Sequence, residues 1–385
     1  MSGVVDRPRH QAILDDVAAG ATGVLVVDLE AVARNYAALD GVVGAVECAA
    51  AVKANAYGLG AREVVARLGA AGCGTFFVAT IDEGLEVRAR DETERVYVLD
   101  GLLPGAAREC HALDLRPVLN SLAEIEEWSA YCRAEGEALA AGVHVDTGMN
   151  RLGLDRGEAE RLCDEPARLD GFLCALLVSH LACGDKPGDA MNEAQRAAFT
   201  DIAGRLPAMP SSLANSAGVM LGERFHFDLV RPGIALYGGR AVNGVTNPMR
   251  PVVTVYARIL QIREAGRGET VGYGATQHLA APRRLATIAC GYADGFARHL
   301  SGSDDRPGVE ARIAGHPVRV AGRVSMDLIT LDVTDVAGEL AHRGGWVELI
   351  GEAVTVDDLA DHAGTIGYEI LTRFGKRFQR AYVKA

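Results

Sequence analysis

The chain has 385 residues, of which 49% are hydrophobic and 5% aromatic, a composition typical of a soluble α/β protein. This length is sufficient for a large core and allows two domains. The formal net charge of -12 argues against nucleic acid or an anionic membrane as a partner, and it is compatible with a local cationic pocket for phosphate.

The N-terminal residues 1–22 are predicted to form a short leader. They mix charged residues such as Asp6, Arg7 and Asp15 with short apolar stretches, and they include no long apolar run. This pattern predicts neither a signal peptide nor a membrane anchor, and it favours a cytoplasmic protein.

The cysteines predict buried, reduced thiols. They are scattered, without a CxxC or other paired spacing, so neither disulfides nor a metal site is favoured. The eight are Cys48, Cys73, Cys110, Cys132, Cys163, Cys174, Cys183 and Cys290.

Residues 23–248 are predicted to form the first domain. An apolar strand at 24–29 precedes an amphipathic helix at 30–39, and then strands and helices alternate. The strands that follow are predicted at 46–52, 75–79, 95–99, 117–119, 142–146, 172–179, 211–214 and 228–231, with helices including 61–69, 122–135 and 192–206. Eight such units predict a (β/α)8 TIM barrel. The alternative, an open doubly wound sheet, is expected to have a GxGxxG turn after its first strand, which this sequence lacks.

Residues 249–385 are predicted to form a C-terminal mainly-β domain, because the helical spacing stops near Pro248. Short apolar or alternating runs separated by Gly, Pro and Asp are typical of strands. These strands are predicted at 252–259, 285–290, 309–313, 317–320, 328–333, 346–350 and 379–383, with helical spacing at 357–364 and 368–377.

Lys53 lies where the first barrel strand ends, within the stretch Ala-Val-Lys-Ala-Asn-Ala-Tyr-Gly-Leu-Gly at 51–60. A lone lysine at a strand end is more often a solvated side chain. Other polar groups also follow predicted barrel strands, however, and barrel enzymes have their chemistry at this C-terminal face. These groups are Tyr57, Arg151 in Asp-Thr-Gly-Met-Asn-Arg, His180, the pair Asn215 and Ser216, and Arg231.

The segment after the eighth strand predicts a phosphate site. Pro232 suits the first turn of a short helix, which leaves the N–H groups of Gly233 and Ile234 free to bind an anion beside the Ser216 hydroxyl. A plain Pro-Gly turn is the alternative for this dipeptide alone.

These stretches resemble the corresponding motifs of the alanine racemase family, and the resemblance spans about residues 22–383. It implies that Lys53 forms a Schiff base with pyridoxal 5'-phosphate, with Tyr57, Asn215 and Ser216 also at the cofactor. The resemblance further implies that Arg231 contacts the pyridine nitrogen. His180 would lie between Arg231 and a catalytic tyrosine, and Arg151 would contact the cofactor phenolate and the substrate carboxylate.

The second domain resembles the family in three further stretches. Tyr273 in Val-Gly-Tyr-Gly-Ala matches the family's second acid/base, Met326 and Asp327 match a substrate-contacting loop, and Tyr292 lies in a segment near the active-site mouth. In relatives these loops reach the partner subunit. The resemblance therefore implies a head-to-tail homodimer that interconverts L-alanine and D-alanine by a two-base mechanism and supplies D-alanine for peptidoglycan.

The sequence departs from the family pattern in two places. His144 stands two residues before Asp146, where many members have a lysine, and residues 374–377 include no clear counterpart of a tyrosine that some relatives place over the phosphate. Three alternatives stay open: a broad-specificity racemase, a barrel-type amino-acid decarboxylase and a non-catalytic pyridoxal-phosphate carrier. The decarboxylase would have an acidic residue in place of Arg231, and the carrier would lack everything after about residue 250.

Overall fold

The computed structural model describes residues 10–88 and 94–384, which divide into two units. One unit runs from Ala31 to Arg250, and the other joins the described residues up to Glu30 with those from Pro251 onward. The first nine residues of the predicted leader lie outside the described residues, and the rest of it includes the helix Gln11–Asp16.

The unit from Ala31 to Arg250 alternates strands and helices as predicted. Its strands are Glu47–Cys48, Ala50–Ala51, Thr75–Val78, Arg95–Val98, Arg116–Leu119, Ala140–His144, Leu173–Val178, Ser211–Ser212 and Leu229–Val230. Its helices, the first of which begins just before the unit, are Leu29–Val43, Ala61–Ala70, Ile81–Arg88, Ala107–Ala112, Leu122–Glu135, Arg156–Asp164, Ala190–Arg205 and Ser216–Met220.

Backbone hydrogen bonds close these strands into a ring. The last strand, Leu229–Val230, pairs in parallel with Glu47–Cys48, and the Ala49 N–H donates to the Val230 carbonyl at 2.9 Å. The Arg231 N–H donates to the Ala214 carbonyl at 2.8 Å, which links the seventh strand to the eighth. The predicted (β/α)8 barrel is therefore confirmed, with its first strand in two short segments.

Apolar side chains fill the barrel interior, so it is a packed core. Phe77 and Tyr97 stack with ring centroids 5.1 Å apart, and Gly142, two strands away from Tyr97, leaves room beside that ring. The buried cluster consists of Ala49, Ala51, Phe77, Tyr97, Val118, Leu176, Val178 and Leu229.

The second unit is mainly β, as predicted. Its principal sheet has the strand order Arg283–Ile288, Ile329–Asp332, His316–Val320, Glu310–Ile313, Trp346–Ile350, Val253–Ala265, Gly23–Asp28 and Gln379–Val383. Val253–Ala265 also pairs with Arg283–Ile288, which closes most of this sheet on itself. The hairpin Thr270–Val271 with Gln277–His278 and the helices Val356–Ala363 and Gly367–Thr372 complete the unit.

Two predicted boundaries differ from the structure. The strand Gly23–Asp28, predicted to begin the barrel domain, belongs to the β unit because it pairs antiparallel with Val253–Ala265 and parallel with Gln379–Val383. The helix predicted to reach residue 377 ends at Thr372, after which Phe374 is buried and packs edge-on against Phe378.

The cysteines were predicted to be reduced and mostly buried. All eight cysteines, which fall within the described ranges, are free, and five of them are buried.

Between residues 10 and 384, leaving out 89–93, none of the helices has the length and hydropathy needed to cross a bilayer.

Candidate active site

Lys53 follows directly after the barrel strand Ala50–Ala51, at the C-terminal mouth of the barrel. Burial lowers the pKa of its amine, and the cationic side chains of Arg151 and Arg231 lower it further, while two nearby carboxylates act in the opposite direction. A lowered pKa increases the fraction of neutral amine at neutral pH. Lys53 is therefore suited to act as a nucleophile toward a carbonyl group.

The four residues after Lys53 form a left-handed turn. Residues 54–57 have φ values between 50° and 56°, although none of them is glycine. The N–H of Gly58 donates to the Ala54 carbonyl at 2.7 Å, and that of Gly60 donates to the Asn55 carbonyl at 3.0 Å. Left-handed backbone costs about 1–2 kcal/mol for each such residue, so surrounding contacts must stabilise this turn.

Glu83 provides some of those contacts, and sequence reasoning missed it. Its carboxylate accepts hydrogen bonds from the Ala54 N–H at 2.7 Å and from the Ala79 N–H at 2.8 Å. Asn55 also stabilises the turn, because its side-chain Oδ1 accepts a hydrogen bond from the Ala61 N–H at 2.7 Å. The turn after Lys53 is thus fixed to the next strand and to the following helix.

Arg231 is a buried cation bound by neutral groups. Its side chain donates to the carbonyl oxygens of Ser212 at 2.9 Å and Ser179 at 2.6 Å, and also to the Ser212 hydroxyl. Burial lowers its pKa to about 9, which leaves it protonated at pH 7. Within the described part of the chain its Nε–H has no hydrogen-bond partner, so this donor can serve a ligand.

His180 follows the sixth barrel strand, as predicted. Burial lowers the pKa of His180 well below its ordinary value, and Arg231, Arg151 and Lys53 add to this effect, so the ring is neutral at pH 7. Gln195 fixes the backbone here by donating to the His180 carbonyl at 2.8 Å.

The loop that includes Arg151 is organised by Asp146. The Asp146 carboxylate accepts from the N–H groups of Gly148, Met149 and Asn150 at 2.8–2.9 Å. Arg151 itself is exposed and makes no hydrogen bond or ion pair with any residue that the structure describes. Its guanidinium is therefore available for an anionic ligand.

The predicted phosphate segment differs from expectation in detail. The short helix begins at Ile234, so Pro232 precedes it, and the Pro232 carbonyl accepts from the Ala51 N–H at 2.9 Å. The Gly233 N–H is not free but donates to the Ser216 hydroxyl at 2.7 Å. A buried backbone N–H needs a partner, and Ser216 provides one here.

Gly233 lies against Tyr57. A Cβ atom at position 233 would lie 2.2 Å from the Tyr57 hydroxyl oxygen, so a larger residue could not be accommodated without moving the tyrosine. Tyr57 in turn packs against Tyr237, with ring centroids 4.6 Å apart. Asn215 accepts from the Gly218 N–H at 3.0 Å and caps the helix that begins at Ser216.

The candidates in the β unit line an open cleft of about 1170 Å³. Tyr273 is 70% exposed and Met326 is 53% exposed, which is unusual for large apolar side chains. Tyr292 and Asp327 line the same cleft. Asp327 is paired with Arg377, a contact that sequence reasoning did not predict.

The predicted residues thus form two groups, one in each unit. Lys53, Tyr57, Arg151, His180, Asn215, Ser216, Arg231, Gly233 and Ile234 belong to the barrel, and Tyr273, Tyr292, Met326 and Asp327 belong to the cleft. The barrel group is rich in cations and in neutral donors, which suits a ligand with phosphate and carboxylate groups.

Comparisons with known proteins cover both units. The family model for the alanine racemase N-terminal domain matches residues 27–241, and the model for the alanine racemase C-terminal domain matches residues 252–382. The alanine racemase of Methylobacterium sp. (strain 4-46) is 49% identical over 359 residues, which cover 93% of this chain and 97% of that protein.

Two alanine racemases of Agrobacterium fabrum, one named biosynthetic and one catabolic, are 47% and 46% identical and cover 94% and 95% of this chain and 94% of each relative. A crystal structure of alanine racemase from Bartonella henselae with covalently bound pyridoxal phosphate matches with a TM-score of 0.89 at 40% identity, covering 94% of this chain and 100% of that one. The chain therefore belongs to the alanine racemase family.

Proposed function

We propose that this protein is an alanine racemase that interconverts L-alanine and D-alanine with pyridoxal 5'-phosphate bound to Lys53. The observation that supports this most directly is the half-buried Lys53 at the barrel mouth, whose amine pKa is lowered by burial and by two neighbouring arginines. Close relatives named alanine racemases cover nearly the whole chain. Production of D-alanine from L-alanine by the purified protein tests the proposal.

The barrel residues fit this cofactor. The unpaired Nε–H of buried Arg231 can donate to the pyridine nitrogen, and the Ser216 hydroxyl and the Ile234 N–H would hold the phosphate at the narrow space beside Tyr57, with Gly233 bordering that space and donating its N–H to Ser216. Asn215, His180 and Arg151 would complete the binding site. When bound to a lysine, pyridoxal phosphate withdraws electrons from the α-carbon of an amino acid and makes its α-proton acidic.

Arg231 is expected to limit transamination, the side reaction that competes with racemisation. A guanidinium donates a hydrogen bond to the ring nitrogen but does not transfer its proton, because its pKa of about 9 lies above that of a pyridine nitrogen. The ring is then a weaker electron acceptor than a protonated pyridine. Rapid return of the proton to the α-carbon is favoured over transamination.

Racemisation needs a proton to leave one face of the α-carbon and another to arrive at the opposite face. Lys53 is one base, and Tyr273 is the second, with Lys53 serving the D-alanine face and Tyr273 the L-alanine face. Tyr273, Tyr292 and Met326 expose their side chains in one cleft, which supports a surface that a second copy covers. The proposed enzyme is a head-to-tail homodimer in which this cleft, with Asp327, contributes to the partner's site.

The remaining alternatives are less well supported. The residue proposed at the ring nitrogen is Arg231 and not the acidic residue of a decarboxylase, and the match to the family's C-terminal domain argues against a single-barrel carrier. A panel of L-amino acids offered to the purified protein separates an alanine racemase from a broad-specificity racemase. Growth of a D-alanine auxotroph on expression of this chain tests a role in peptidoglycan supply.

The first prediction concerns the attachment site of the cofactor. The purified protein should be yellow, and borohydride reduction followed by peptide mapping should place the cofactor on Lys53, because this lysine alone among the four (Lys53, Lys186, Lys376 and Lys384) directly follows a barrel strand. Lys53→Ala should abolish the yellow colour. A cofactor adduct on Lys186 or Lys376 would contradict the assignment.

The second prediction concerns the narrow space at Gly233. Gly233→Ala places a methyl group 2.2 Å from the Tyr57 hydroxyl oxygen, so the Kd for pyridoxal phosphate should rise by about tenfold or more in an absorbance titration, equivalent to about 1.4 kcal/mol. Gly188→Ala is the matched control, since a Cβ there has no atom within 4 Å. Equal Kd values for the two variants would show that residue 233 does not border the cofactor.

The third prediction tests the second base and the composite site together. Tyr273→Phe should lower activity about 10²–10⁴-fold while leaving the yellow colour intact, as expected for loss of a positioned acid or base. Mixing inactive Lys53→Ala and Tyr273→Phe chains should restore about a quarter of wild-type activity, because about half the dimers are mixed and each has one complete site.

Subunit exchange in this mixture is verified with two differently tagged chains, and each variant alone is the control. If mixed dimers form and activity stays at the level of the single variants, Tyr273 either acts within its own chain or is not the second base.

A further inference from the structure

Asn120 and His144 form a hydrogen-bonded pair in the barrel that the proposed mechanism does not yet use. His144 ends the strand Ala140–His144, and its Nδ1 lies 2.7 Å from the Oδ1 of Asn120. Asn120, which is buried, directly follows the preceding strand Arg116–Leu119. Sequence reasoning overlooked it, although a polar residue at a strand end is the same signal that identified His180 and Arg231.

The surroundings of Asn120 decide which nitrogen of His144 is protonated. The amide nitrogen of Asn120 donates to the carbonyl oxygens of Val118 at 2.9 Å and Leu99 at 3.4 Å. The opposite amide orientation would place Oδ1 against two carbonyl oxygens, which repel it. Oδ1 therefore faces the imidazole, and His144 donates to it through Nδ1–H.

A neutral Nδ1–H ring has an unprotonated Nε2 that accepts hydrogen bonds. Burial lowers the pKa of His144 to about 4, and Arg231 and Arg151 also lower it, whereas Asp146 acts in the opposite direction. His180 is a further titratable neighbour, and its ring is neutral as well. At neutral pH, His144 is thus uncharged and lies within range of the charges of Arg231 and Arg151.

The ring lies against the loop that includes Arg151. A Cβ atom at Gly153 would lie 3.0 Å from carbon atoms of the His144 ring, and the Leu154 N–H donates to the His144 carbonyl at 2.8 Å. Three backbone N–H groups of the same loop already donate to Asp146, two to its Oδ1 and one to its Oδ2, so this carboxylate is engaged in organising the loop.

We propose that Asn120 and His144 are positioning residues: Asn120 fixes the Nδ1–H tautomer of His144, and Nε2 accepts a hydrogen bond from Arg151 when Arg151 binds the substrate carboxylate. The substrate part of this proposal rests on the proposed racemase function. A neutral acceptor orients the guanidinium without neutralising it. Arg151 therefore keeps its full positive charge for binding the carboxylate. An acidic residue at position 144 would partly neutralise that charge.

Steady-state kinetics of three variants test this role. His144→Leu removes the acceptor and should raise the KM for L-alanine roughly 10–100-fold with a smaller change in kcat, the range expected for a hydrogen bond to a charged group. His144→Gln restores a neutral acceptor and should recover most of this loss. The matched control is His111→Gln, since His111 is also hydrogen-bonded through Nδ1, to Tyr131 at 3.0 Å, outside the barrel mouth.

A purely structural role predicts a different pattern. If the Gln and Leu variants at position 144 have the same KM, or if kcat falls while KM stays unchanged, the proposal is wrong. Thermal unfolding of each holoenzyme variant identifies any loss of folded protein, and rates are expressed per folded, cofactor-loaded site.

The pH dependence of KM in a second variant, Asn120→Asp, gives a further test with an expected direction. Asn120→Asp places a carboxylate beside Nδ1–H, which favours the imidazolium and raises the pKa of His144. Below that raised pKa, both ring nitrogens are protonated and neither accepts from Arg151, so the KM of this variant should increase as the pH falls and recover as the pH rises. The ratio of variant to wild-type KM should therefore depend on pH, and a constant ratio would overturn the proposal.

The tautomer is measurable without turnover. Nitrogen-15 NMR of histidine-labelled holoenzyme, with the His144 signals assigned by their loss in His144→Gln, should show the neutral Nδ1–H form at pH 7. An Nε2–H form or an imidazolium would refute the pair. A protein that shows the Nδ1–H form but does not racemise alanine would instead refute the proposed function and Arg151's substrate role.

Discussion

The barrel mouth depends on one electrostatic arrangement, the burial of the Arg231 cation among neutral acceptors. Moving a guanidinium out of water is costly unless its donors are satisfied, and here strand-end carbonyls of Ser179 and Ser212 satisfy the donors other than Nε–H that are described above. Parallel strands present such carbonyls together at one edge, so the fold itself supplies the partners. No carboxylate among the residues that the structure describes pairs with Arg231, so its charge adds to burial in lowering the pKa values of Lys53 and His180.

The strained turn after Lys53 holds this lysine in place at the barrel mouth. Four consecutive non-glycine residues in left-handed backbone directly follow the lysine, and Glu83 bonds that turn to the next strand. Flexible glycines would adopt these angles with less strain, but they would leave Lys53 less well fixed. Rigidity here keeps the amine where burial and its cationic neighbours act on it.

Much of the barrel could be predicted from the sequence, because buried parallel strands are short apolar runs and the polar residues that follow them must meet at one face. The partner of the strand Gly23–Asp28 could not be predicted, since periodicity identifies a strand but not its neighbour in a sheet. Glu83 and Asn120 were missed for a related reason. Glu83 accepts a hydrogen bond from the backbone of Ala54, and Asn120 bonds the ring of His144. These partners are distant in sequence, so local residue patterns do not predict the bonds.

The pairing of Gly23–Asp28 also has a consequence for biosynthesis. This strand leaves the ribosome before the barrel, yet its two partners, Val253–Ala265 and Gln379–Val383, are made after it. The barrel can fold as a completed insertion while the first strand waits unpaired for the end of translation. Nascent chains therefore contain Lys53, the proposed cofactor lysine, long before the unit that contains Tyr273, the proposed second base, is finished. That unit is complete only when Gln379–Val383 has been translated.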